Sequence, residues 1–150
     1  MPPIVATIDV ERPAADVFSY ATDPSRFSEW QKGVIDGRTD EPGVPSVGIR
    51  CVTTRRVGFA DRPVTSEITH IDAPKTWGVR GIDGPIRATV DVTVEPLSDS
   101  ASRLTITVDF EGRGIGTIFV PLFVLREARK EMPDNLAALK RRLEEGDVAG

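Results

Sequence analysis

Three basic side chains stand where the surrounding pattern calls for apolar ones. Arg55 shares strand parity with Val47, Ile49, Cys51, Thr53 and Val57, and His70 shares it with Val64 and Ile68. Arg129 falls on an apolar helical phase between Leu125 and Met132. An isolated charge in an apolar interior is costly, so an inward Arg55 must meet a carboxylate, solvent or an anionic ligand group. Its planar fork of donors suits a directional bond to a ligand oxygen. The plainer account is a strand end or bulge that carries Arg55 to solvent. For Arg129 it is a rotation of helical phase at Pro133. His70 is the only histidine in the chain and the one group whose ordinary pKa lies near neutrality, which makes it a candidate proton carrier. It also directly precedes the turn-forming run Ile71-Asp72-Ala73-Pro74, where a surface or capping role needs no chemistry. Arg55 and His70 are therefore the catalytic candidates, and Arg55, His70 and Arg129 the polar binding candidates.

Flat and hydroxylated side chains extend the set. Trp77, Tyr20 and Phe110 offer surfaces to an aromatic or isoprenoid ligand, and Thr53 and Tyr20 offer hydroxyl hydrogen bonds. Core packing is the plainer role for Phe110 and for Trp30, whereas Trp77 lies on a short strand near a glycine-rich turn and is expected nearer a cavity mouth. Phe59, Ile82, Pro85 and Ile115 read as a rim or as ordinary loop packing. The run Gly112-Arg113-Gly114-Ile115-Gly116 lacks the lysine and hydroxyl residue of a phosphate loop and follows the last strand. One histidine and one cysteine argue against the common zinc sets, and Ser19, His70 and Asp72 form no recognised nucleophile arrangement. No metal or cofactor is expected.

Composition narrows the class of protein. A hydrophobic fraction of 39% with 28% charged residues is that of an ordinary globular chain. Its 150 residues suit one domain, with residues 146–150 as a frayed tail. A net charge of -4, with both signs interspersed, argues against a broad nucleic-acid face. The single cysteine, Cys51, cannot form an internal disulfide. No stretch approaches the roughly 18 to 20 apolar residues of a membrane span, and no signal-peptide pattern opens the chain, so cytoplasmic residence is the expectation. A monomer or a homodimer fits equally.

The elements that must position these residues are legible from period and punctuation. Ile4, Ala6, Ile8 and Val10 alternate with more polar neighbours and give a strand. Pro13 opens a helix over residues 14–21, and Asp23 caps a second short one over residues 24–29. Strands follow over residues 34–38, 47–57, 64–71 and 76–80. The most regular pair has Ile86, Ala88, Val90, Val92 and Val94 on one strand and Leu104, Ile106, Val108 and Phe110 on the other, joined by a polar turn over residues 96–101. Thr89, Asp91, Thr93, Thr105, Thr107 and Asp109 occupy the opposite face, so the sheet buries one side and is antiparallel. From about Ile118 the period changes: Ile118, Leu122, Leu125, Met132, Leu136, Leu139 and Leu143 mark a long amphipathic helix. Pro133 removes a hydrogen bond to the Arg129 carbonyl and is expected to bend or split it.

This order, with RPAADVFSYATDPSRFSEWQ at residues 12–31 and PDNLAALKRRLE at residues 133–144, resembles the START-like superfamily in its polyketide cyclase/dehydrase and lipid-transport branch. The resemblance covers nearly the whole chain. It implies an α+β helix-grip fold: a curved antiparallel sheet of about seven strands around the C-terminal helix, with an apolar cavity between them. It further implies a small hydrophobic ligand such as a lipid, polyketide or quinone. The alternatives are a polyketide cyclase or dehydratase, with Arg55 polarising an oxygen and His70 or a water carrying a proton, and an interaction protein with a filled cavity.

Overall fold

The structure, a computed structural model, describes residues 3–57, 59–84, 86–112, 114 and 124–146. Strand β1 (Ile4–Val10) leads into helix α1 (Ala14–Ala21) and a short 3-10 helix (Pro24–Glu29). Six strands follow: β2 (Val34–Thr39), β3 (Arg50–Val57), β4 (Ala60–Asp72), β5 (Thr76–Gly81), β6 (Ile86–Ser98) and β7 (Ala101–Gly112). Helix α2 (Leu125–Glu144) closes the described chain. All pairings are antiparallel, in the order β1-β7-β6-β5-β4-β3-β2. The sheet is curved and wraps α2, the helix-grip arrangement.

Local chemistry sets the first elements. The Pro13 carbonyl accepts from the Asp16 and Val17 amides, which starts α1, and Arg12 pairs with Asp16 at 2.7 Å. Asp23 caps the 3-10 helix by accepting from the Ser25 amide at 3.0 Å. That helix packs onto β2 at Gly37, where a Cβ would run into the Pro24 carbonyl. Glycine there permits the close approach.

The core lies between the concave sheet face and the helices. Val92, Val94, Leu104, Ile106 and Val108 from the β6–β7 hairpin join Val17 and Phe18 of α1 and Leu136, Leu139 and Leu143 of α2. Three register shifts, at Val34/Asp36, Ile68/His70 and Pro96/Ser98, interrupt the ladders. Such bulges bend a strand and increase its twist, which a sheet needs in order to wrap a helix.

Several expectations change. Val47 is 63% exposed and precedes β3, which begins at Arg50. A loop rich in glycine and proline leaves Val47 without a strand partner. The β6–β7 turn shrinks to Asp99 and Ser100, because Pro96 is accommodated inside β6 next to a bulge. Helix α2 runs unbroken through Pro133, so the proline does not split it. Buried Leu125 on one side of Pro133 and Leu136, Leu139 and Leu143 on the other hold both halves against the sheet. Their packing offsets one missing hydrogen bond. The expected helical turns at Ile118 and Leu122, the rim positions Pro85 and Ile115, and the tail beyond Gly146 lie outside the described residues. Among the described residues, no helix is long and apolar enough to cross a membrane.

Candidate functional site

Strand β3 carries Cys51, Thr53 and Arg55 on its inner parity, and the first two are buried. Arg55 is half-buried and crowded by protein. Its Nε donates to the Thr53 hydroxyl at 3.3 Å and its Nη2 to the Gln31 side-chain carbonyl at 3.3 Å. Both bonds are longer than the usual N–H···O separation, and both acceptors are neutral. A guanidinium offers five N–H donors, so most remain without a partner among the described residues. Among the described residues, the only side-chain polar atom that is both sealed from solvent and unpartnered is Nε1 of Trp30. Arg55 Nη1, which has no hydrogen bond among the described residues, is therefore not sealed from solvent.

The surroundings of Arg55 are built from distant segments. Gln31 follows the 3-10 helix, its amide bonded to the Phe27 carbonyl at 2.7 Å. The next amide, Lys32, donates to the Asn135 side chain of α2 at 3.0 Å, which fixes the turn to the helix. Glu131 lies one helical turn before Asn135. Burial pushes its carboxyl above the ordinary carboxylate value, with Lys32 and Arg55 pulling it down and Glu127 raising it. Burial likewise lowers the Arg55 pKa, against the field of Glu131, which raises it. The arrangement puts a donor-rich cation within the field of a carboxyl that burial biases toward its protonated form.

The other candidates are placed as follows. Thr53 is buried and its hydroxyl is occupied by Arg55. Tyr20 is buried, and its hydroxyl donates to Glu29 at 3.0 Å, with Arg26 above the ring at 5.9 Å. That contact ties α1 to the 3-10 helix. Burial and the Glu29 bond raise the phenol pKa. Trp77 sits inside the core rather than near a rim, edge-on to Phe27 at 6.3 Å, and Phe27 meets Trp30 in the same manner at 5.9 Å. Phe110 is half-buried against the core. Phe59 is fully exposed.

His70 is on the convex face, a correction to the inward parity. Ile68 pairs with Val79 but His70 pairs with Gly78, leaving Thr69 as the extra, bulged residue. The bulge reverses the alternation, so Ile71 opposite Trp77 takes the inward place. The imidazole Nε2 bonds Asp91 at 2.7 Å across Gly78. Arg129, expected on the apolar phase, is exposed on α2 beside β1. Thr53 and Arg55 are thus together, while His70 and Arg129 lie away from them.

Gln31 and Glu131 are not among the residues singled out in the sequence. Glu131 carried a faint signal: Ala128, Glu131, Asn135 and Ala138 form an i, i+3, i+4 row of half-buried positions beside the leucine stripe. Gln31 carried none, since its contact with Arg55 spans 24 residues.

The polyketide cyclase/dehydrase and lipid transport family matches residues 1–144. No curated protein matches the chain. Among solved structures, the Zhui aromatase/cyclase from Streptomyces sp. R1128 is similar at 16% identity and a TM-score of 0.72, over 98% of each chain. A START superfamily protein from Mycobacterium smegmatis is similar at 13% identity and a TM-score of 0.75, over 97% of this chain and 99% of that one. The di-domain ARO/CYC BexL from the BE-7585A biosynthetic pathway is similar at 17% identity and a TM-score of 0.73, over 96% of this chain. The chain spans 47% of that di-domain protein. At these identities the likeness is one of fold.

Proposed function

Because the chain belongs to the polyketide cyclase/dehydrase and lipid transport family, we propose that it binds a small hydrophobic molecule between the sheet and α2, with Arg55 orienting the ligand's polar end. The observation that carries this reading is the state of Arg55: a cation crowded by protein, with two long bonds to neutral acceptors and an Nη1 that is neither hydrogen-bonded among the described residues nor sealed from solvent. A fold gains little by keeping a charge so poorly matched unless a ligand oxygen completes it. Apolar walls with a few converging polar groups are the usual makeup of a small-molecule site.

Native mass spectrometry of protein purified without lipid stripping tests the reading. A reproducible small-molecule adduct is expected, lost or strongly reduced in Arg55→Leu. Absence of any adduct, together with side chains packed continuously around Arg55 in an experimental structure, would defeat it. A second reading, cyclisation or dehydration of a bound polyketide, is favoured by Glu131. With His70 on the convex face, a half-buried carboxyl held toward its neutral form near Arg55 is the better-placed proton carrier. Product formation from supplied polyketides, abolished in Glu131→Gln while the adduct persists, separates this enzyme reading from binding alone.

A further inference from the structure

Among the described residues, strand β1 pairs only with β7 and is an edge of the sheet. Its two halves differ. The Asp9 carbonyl accepts from Lys140 at 2.6 Å and the Glu11 amide donates to Glu144 at 2.9 Å, so side chains of α2 close that end. In an antiparallel ladder outward-facing backbone groups recur at every second residue, which makes Val5 and Thr7 the next open positions along β1. No backbone partner of either lies on the open side among the described residues. Beside Val5 runs a groove of about 310 Å3 between residues 3–6 and the α2 residues Arg129, Met132 and Pro133. Arg129 is the one charged residue lining it, and its side chain has no hydrogen bond or ion pair among the described residues. Pro133 has no N–H to give the Arg129 carbonyl, so an acceptor is also left at the groove without its usual helical donor.

We propose that this groove binds a short, extended, acidic peptide of a partner protein, adding a strand to β1 at Val5 and Thr7 and placing a carboxylate against Arg129. Backbone pairing to an exposed sheet edge supplies affinity, while side-chain contacts supply choice. The occupant is short because only two outward residues of β1 are open before Lys140 and Glu144 close the edge. It is acidic because Arg129, unpaired among the described residues, is the one charged side chain that lines the groove. A second copy of the chain fits poorly. Pairing β1 with β1 about a two-fold axis would bring both Arg129 groups to one small interface, and no carboxylate lines the groove to separate them.

The test is an NMR titration of the intact protein with acetylated, amidated pentapeptides of alternating valine and threonine, carrying one aspartate at each position in turn. The matching asparagine peptides serve as controls. Saturable shifts are expected at the Val5 and Thr7 amides and at Arg129 Nε. The best aspartate peptide should bind about threefold tighter than its asparagine counterpart, as suits an exposed ion pair, and Arg129→Gln should abolish the difference. Val5→Pro, tolerable on an edge strand, should lose binding while keeping the remaining spectrum. No saturable shift with any peptide up to millimolar concentration overturns the proposal. So do shifts confined to other surfaces, or β1 shifts that follow protein concentration alone, the mark of a second copy.

Discussion

His70 can lie against β5 only because residue 78 has no side chain: a Cβ there would overlap the imidazole and crowd Asp91. The pair it forms with Asp91 is about half exposed on both sides, so its worth is that of a well-formed surface contact. Gly78→Ala should therefore push the imidazole away and cost about 1 kcal/mol in urea unfolding. His70→Ala should then add almost nothing in the Gly78→Ala background. Fully additive costs would show that Gly78→Ala leaves the contribution of His70 undisturbed. Arg55 presents the opposite case. Its parity placed it inward from the sequence, and the structure keeps it there with Thr53. What the pattern lacked was the company of Gln31 and Glu131, which arrives from a loop and a helix far along the chain.

The elements differ in how far their bounds are local property. Helix α1 and the 3-10 helix match their expected limits because Pro13, Asp23 and Pro24 act within a turn of where they stand. The β6–β7 hairpin keeps its two faces through strict alternation, although cross-strand pairing carries it past Pro96 to a tighter turn. Strand β4 loses its alternation at Thr69, since a bulge is decided by which partner residues fit across the ladder. Helix α2 keeps its leucine stripe through Pro133 because contacts on either side of the proline hold it. Leu136 is almost fully buried on that stripe. Leu136→Ala should cost about 2–5 kcal/mol, read as a lower denaturation midpoint with an unchanged slope. A change near zero would mean that α2 presents a different face to the sheet.

At the scale of the whole molecule, one sealed core makes stability fall in alkali. Burial pushes the Cys51 thiol up to about 11 from an ordinary 9.0. Between those values the unfolded chain loses this proton and the folded chain keeps it, so the folded state is the more protonated one and stability drops as pH rises. The drop attributable to Cys51 is about 2–3 kcal/mol, complete near the folded value. Tyr20, also raised, acts in the same direction above its ordinary value of 10.0. Unfolding midpoints of Cys51→Ala should therefore fall less steeply with pH than those of the parent, with the remaining slope owed to Tyr20. Equal slopes would show that water reaches the thiol in the folded protein. The sequence by itself determined the element order, the one-sided antiparallel sheet, the leucine face of the last helix and the strand parity that Arg55 shares with Cys51 and Thr53, because period and turn chemistry act over a few residues. Tertiary structure alone decided that His70 faces outward, that Trp77 is sealed against Phe27, that Gln31 bonds Arg55 within the field of Glu131, and that β1 has no strand partner beyond β7 among the described residues. Those outcomes depend on register, bulges and packing between segments widely separated along the chain, and no local pattern encodes them.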